Sequence, residues 1–124
     1  MLLLLVCLVN TALVSLAVAI HYETLYPLAR WLPRVQVPPR LRVLIGVFAI
    51  LVAHVAEIWL FALGYWGLLQ VEGMGSLVGN VNDRSLLEVS YFSFITFTTV
   101  GYGDIVATGY IRYLTGLEAL TGFV

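Results

Sequence analysis

Two long apolar stretches, separated by a basic, proline-rich break, precede a shorter apolar stretch that runs into glycines. Residues 1–20 are apolar apart from Asn10, Thr11 and Ser15 and carry no charged side chain. As a helix rising 1.5 Å per residue they reach about 30 Å, one hydrocarbon thickness. The rival reading is a signal peptide, helped by Ala17-Val18-Ala19, but the positive n-region is missing and the apolar run is long. Residues 21–42 hold Pro27, Pro33, Pro38 and Pro39, and set Arg30, Arg34, Arg40 and Arg42 against Glu23. The paired prolines forbid a continuous helix, and the arginine excess places this loop in the cytoplasm by the positive-inside rule. Within it, residues 22–31, with Tyr26 and Trp31, suit a short interfacial helix.

A second span is predicted over 43–69, about 40 Å as helix, with Trp59, Tyr65 and Trp66 towards its far end as an aromatic belt. Residues 71–84 read as a loop outside the bilayer, with Gly73, Gly75 and Gly79 followed by Asn80, Asn82, Asp83 and Arg84. Ser85 and Glu88 then match a capping box, in which each side chain bonds the other's backbone N–H, so a helix starts near Leu86. Its apolar run to Thr98 covers only about 20 Å, which predicts a re-entrant element held in protein rather than a crossing. A last apolar stretch from Tyr110 to Val124, about 22 Å as helix, ends without a polar cap, as a fragment of a longer protein would.

Composition fits a lipid solvent. Apolar residues make up 61% of the 124 and charged residues 10%, against about 45–50% and about 25% in soluble domains. The net charge of −1 leaves no basic surface for nucleic acid. The single cysteine, Cys7, reads as a small buried hydrophobe, and no intrachain disulfide can form. No nucleophile, acid–base pair or phosphate loop suggests an enzyme or a small-molecule substrate, and no cofactor is expected.

The chemistry concentrates in Thr99-Val100-Gly101-Tyr102-Gly103-Asp104. A cation crossing lipid must exchange water oxygens for protein oxygens, and four chains around one axis can offer stacked rings of backbone carbonyls. Aiming successive carbonyls one way needs backbone angles that L-residues resist, which Gly101 and Gly103 relieve. Thr99 adds a hydroxyl ring, while Val100 and Tyr102 are expected to point off the axis and pack on the short helix. That helix directs its C-terminal carbonyls, and their partial negative charge, towards the membrane centre. Ser93, Thr96 and Thr98 are available to bond behind the loop. Six fixed residues at several per cent usage each recur by chance about once in 10⁷–10⁸ windows.

This segment resembles the selectivity filter of the potassium channel superfamily, and 91–98 (Tyr-Phe-Ser-Phe-Ile-Thr-Phe-Thr) looks like the pore helix of small bacterial members. The resemblance covers 43–124: outer helix, turret, pore helix, filter and the start of an inner helix. It implies a homotetramer conducting K⁺ in preference to Na⁺, with K⁺ held at Thr99, Val100, Gly101 and Tyr102. It also implies that Asp104 supports the outer mouth, with Tyr91 standing where its partner would; Ile95 occupies the place where some relatives carry a glutamate. Gly122 stands where relatives bend the inner helix, close packing being the competing account. The family's topology puts the arginine loop inside the cell and Met1 outside, in agreement with the charge rule.

Other polar residues have plainer readings. His54 and Glu57 share one face of the second span. A hydrogen-bonded pair that steadies helix packing is the first account, ahead of pH sensing and of metal or haem ligation; His54 and His21 alone do not define a haem site. Glu118 is expected near the base of the short helix, bonded to Ser or Thr. Arg112 is a rim charge, and the arginines of 21–42 are topology determinants with some affinity for anionic headgroups. No arginine ladder suggests voltage sensing.

The expected architecture is an all-α integral membrane protein of the plasma membrane. Its parts are an N-terminal transmembrane helix at 1–20, a cytoplasmic loop at 21–42 and a pore domain at 43–124 with outer helix, re-entrant helix, filter and incomplete inner helix. The expected function is passive, K⁺-selective conduction; a less selective cation channel and a membrane haem or redox subunit are the alternatives.

Overall fold

The computed structural model describes residues 1–81 and 85–124. Four helices form it: α1 (Leu2–Trp31), α2 (Pro39–Leu69), α3 (Leu86–Phe97) and α4 (Ile111–Phe123), with two short strands, β1 (Gly75–Gly79) and β2 (Ile105–Gly109). Two helical segments, Leu2–Arg34 and Pro39–Leu69, are long and apolar enough to cross a membrane.

The first helix passes the Ile20 boundary, and the separate interfacial helix expected at 22–31 is its continuation. Local side-chain pairs one turn apart explain why. Tyr22 stacks on Tyr26 at 5.6 Å between ring centroids, and Arg30 donates to the Tyr26 hydroxyl at 3.1 Å while lying over that ring. Thr24 bonds back to the Ile20 carbonyl at 2.8 Å. Pro27 forfeits one intrahelical bond near the end of the helix without stopping it. A 3₁₀ turn at Leu32–Arg34 follows, and the Arg42 guanidinium bonds the Val35 carbonyl at 3.2 Å across the bend. The chain does break at the paired prolines. Pro38 is extended and Pro39 opens α2, where a missing N–H is no loss.

The buried face of α2 is Ala53, Glu57, Ile58, Phe61, Ala62, Tyr65 and Leu68, a helical spacing confined to its second half. That face and α1 enclose the core. Val6, Leu13 and Ala17 of α1 meet Phe61 and Tyr65 of α2, Phe92 and Ile95 of α3, and Ile111 and Leu114 of α4. Tyr65 and Phe92 meet edge to face at 5.3 Å. Cys7, expected inside, is exposed, because α1 turns Val6 and Asn10 inward instead.

The expected loop at 71–84 is partly a strand. β1 pairs antiparallel with β2, from Gly75 opposite Gly109 to Gly79 opposite Ile105, and the Ser76 and Thr108 hydroxyls lie 3.1 Å apart. The signal is divided between two segments. Ile105, Val106 and Thr108 supply the β-branched residues, while β1 alone looks like a glycine-rich turn. The polar run Asn82, Asp83 and Arg84, assigned to the same loop, lies outside the described residues. Helix α3 begins where expected, after an extended Ser85, yet the Ser85 side chain makes no cap hydrogen bond. The capping box is therefore a correct marker of the boundary and not a formed contact. The sheet brackets α3 and the segment behind it, returning the chain from the end of α2 to the start of α4.

Candidate functional site

Residues 99–104 leave α3 through a tight, hydrogen-bonded exit. The Thr98 N–H bonds the Phe94 carbonyl at 3.1 Å, and the Thr99 N–H bonds that of Thr96 at 3.0 Å. The Gly101 N–H reaches back to the Ile95 carbonyl at 3.0 Å, so the loop is anchored on the last turns of α3. Thr99, Gly101 and Gly103 take positive φ, at 60°, 52° and 86°. Alternate left-handed residues are the backbone device that turns peptide groups away from a regular helix or strand. Glycine accepts it freely, whereas at Thr99 it costs about 1–2 kcal/mol. Such strain persists where surrounding structure enforces it, most often at functional sites.

At the outer end of this loop the Tyr91 hydroxyl donates to Asp104 Oδ2 at 3.0 Å. That bond to the carboxylate holds the Tyr91 phenol above its ordinary value. The Thr98 hydroxyl bonds the Phe94 carbonyl at 2.7 Å, one turn back, and not the loop. Within the single chain, Val100 and Tyr102, expected to pack on the short helix, are 52% and 72% exposed. The inward residues of α3, among them Phe92, Ile95 and Phe97, are already taken by the core. A groove of about 540 Å³ opens beside the loop, between Thr96, Thr99 and Gly101 on one side and Arg112, Thr115 and Gly116 on the other.

Behind α3 lies a buried polar group. Ser93 and Glu118 are hydrogen-bonded to each other, and the Ser93 hydroxyl also lies 2.8 Å from the Ile58 carbonyl. Close by, Tyr65 donates to the Thr115 hydroxyl at 3.3 Å. One such network joins α2, α3 and α4. Gly122 sits against the end of α3, where a side chain would run into the Phe97 carbonyl, so close helix packing accounts for a glycine there.

A second polar group joins α1 to α2. His54 Nδ1 lies 2.9 Å from Glu57 Oε2, the pair expected from their spacing. The structure adds His21, whose Nδ1 lies 3.2 Å from Glu57 Oε1. The His54 ring also touches those of His21 and Phe97, with centroids 5.5 Å apart in each case. Spacing carried no sign of His21, because its place depends on α1 lying along α2.

The sequence around this loop is similar to that of known proteins. The sequence profile of a family described as ion channel matches residues 43–124. The chain is also similar to Protein LctB of Bacillus caldotenax, with 36% identity over 100 residues, covering 76% of this chain and 73% of that protein. No solved structure matches. With α2, α3, the 99–104 loop and α4 all inside the matched region, the chain belongs to the ion channel family, among its two-transmembrane-helix, potassium-channel-like members.

Proposed function

We propose that the chain is a subunit of a K⁺-selective channel in the plasma membrane, and that four copies surround one axis. The carbonyls of Thr99, Val100, Gly101, Tyr102 and Gly103, with the Thr99 hydroxyl, replace the hydration shell of K⁺ as it passes. The observation that carries this reading is the left-handed backbone at Thr99, Gly101 and Gly103 in a loop anchored on the end of α3. The exposure of Val100 and Tyr102 supports the assembly, since neighbouring copies are what would cover them. The open groove beside Thr99 and Gly101 is the matching surface. Asp104, held by Tyr91, fixes the outer end of the loop. In this reading α3 re-enters the membrane, the arginine-rich turn between α1 and α2 is cytoplasmic, and Met1 is outside.

The test is ion flux into liposomes carrying the protein, with K⁺ compared with Na⁺ and Ba²⁺ added as a blocker. K⁺ flux well above Na⁺ flux, stopped by Ba²⁺, is expected. Equal fluxes would leave a cation channel without the selectivity, and no flux from an intact tetramer would remove the conduction.

A further inference from the structure

We infer that His21, His54 and Glu57 form a binding site for a first-row divalent transition ion, with Zn²⁺ as the best fit, that clamps α1 to the family-matched part of the chain. The three residues come from two helices that are distant in sequence, and their donor atoms all lie within 4.8 Å of one another. Two of the separations are short, 3.2 Å from His21 Nδ1 to Glu57 Oε1 and 2.9 Å from His54 Nδ1 to Glu57 Oε2. A tetrahedral ion with bonds of about 2.0–2.1 Å needs donors about 3.4 Å apart, so small side-chain rotations bring all three to ligating distance. Two imidazoles and a carboxylate are a donor set that suits Zn²⁺ and its neighbours and disfavours Ca²⁺ or Mg²⁺, which prefer all-oxygen shells.

Burial and charge point the same way. Glu57 is 2% exposed, in a helix apolar enough to cross a membrane. Among the described residues the close partners of the Glu57 carboxylate are these two histidines, and no arginine lies in salt-bridge range of it. A carboxylate buried in such a helix, with two imidazoles as its partners, is a setting in which a divalent ion would supply compensating charge. A cavity of about 670 Å³ is lined by all three residues. It supplies an entry path and room for a water as fourth ligand. The same cavity is bounded by Leu120, Thr121 and Gly122 of α4, so an ion there sits where α1, α2 and α4 meet. The competing account is a metal-free hydrogen-bonded triad, which does not need the cavity beside it.

The test uses the whole protein, purified without a polyhistidine tag, stripped by a chelator and titrated with Zn²⁺ against a fluorescent competitor. Saturation at one ion per chain is expected. His21→Ala and His54→Ala, tested separately, are each expected to weaken binding by about 100-fold or more, the upper end of what losing even an outer partner costs. Co²⁺ substitution gives a second readout, the visible bands of a four-coordinate ion, which His21→Ala should abolish even if Glu57→Gln fails to fold. Binding unchanged in both histidine variants, or no saturable binding by folded wild-type protein, overturns the site. None of these readouts depends on ion conduction.

Discussion

The 99–104 loop and the His21–His54–Glu57 cluster both lie near the C-terminal end of α3, and they are built from different materials. The loop begins at the residue after Thr98 and uses backbone groups, held in place by N–H bonds to Ile95 and Thr96. The cluster touches the same end of α3 through the His54–Phe97 ring contact, but every working atom belongs to a side chain on α1 or α2. Backbone chemistry needs particular φ angles, and those demand glycine at fixed places. Side-chain chemistry needs only that the helices dock. The loop therefore depends on particular residue types at fixed places, while the neighbouring polar cluster depends on packing.

The largest expected effect breaks the loop. Gly101→Ala places a side chain at a φ of 52°, a cost of about 1–2 kcal/mol that the folded protein can absorb. Carbonyl direction cannot adapt as easily, so K⁺ flux should be lost while the variant still assembles by size-exclusion chromatography. Retained flux would mean that the glycine is not needed for the ion path.

A smaller effect is expected at the joint between the two regions. Gly122→Ala drives a methyl group into the Phe97 carbonyl. Overpacking of that kind costs about 1–3 kcal/mol, read as a lowered unfolding temperature in detergent. An unchanged unfolding temperature with reduced open time would instead make Gly122 a hinge. The smallest effect belongs to the side-chain prop that Tyr91 gives the loop. Tyr91→Phe removes an exposed hydrogen bond to Asp104, which is worth about 0.5–1.5 kcal/mol at most. Conduction should persist, with faster loss of current during sustained opening as the measurable change. A complete loss would show that side chains, too, hold the loop.

The contrast also explains what could be read along the chain. The six residues from Thr99 to Asp104, the short α3 and the break at Pro38–Pro39 are local patterns, and each is legible where it stands. The end of α1 lies beyond its expected boundary because Tyr22, Tyr26 and Arg30 support one another at helical spacing, which outweighs Pro27. The β1–β2 pairing was not legible, since its two halves flank α3 and only β2 has a strand's composition. The partnership of His21 with Glu57 is illegible for the same reason on a larger scale: the sequence offers His21 only beside His54, and its contact with Glu57 exists only once α1 has docked. The outward-facing Val100 and Tyr102 differ again, because the surfaces proposed to receive them belong to other copies of the chain.

The most direct test of the central claim is the reversal potential of the wild-type protein in a planar bilayer with KCl on one side and an equal concentration of NaCl on the other. A K⁺-selective loop built from residues 99–103 predicts a current that reverses far from zero, in the direction set by K⁺. Reversal at zero would contradict it, leaving an ion channel whose loop does not tell K⁺ from Na⁺.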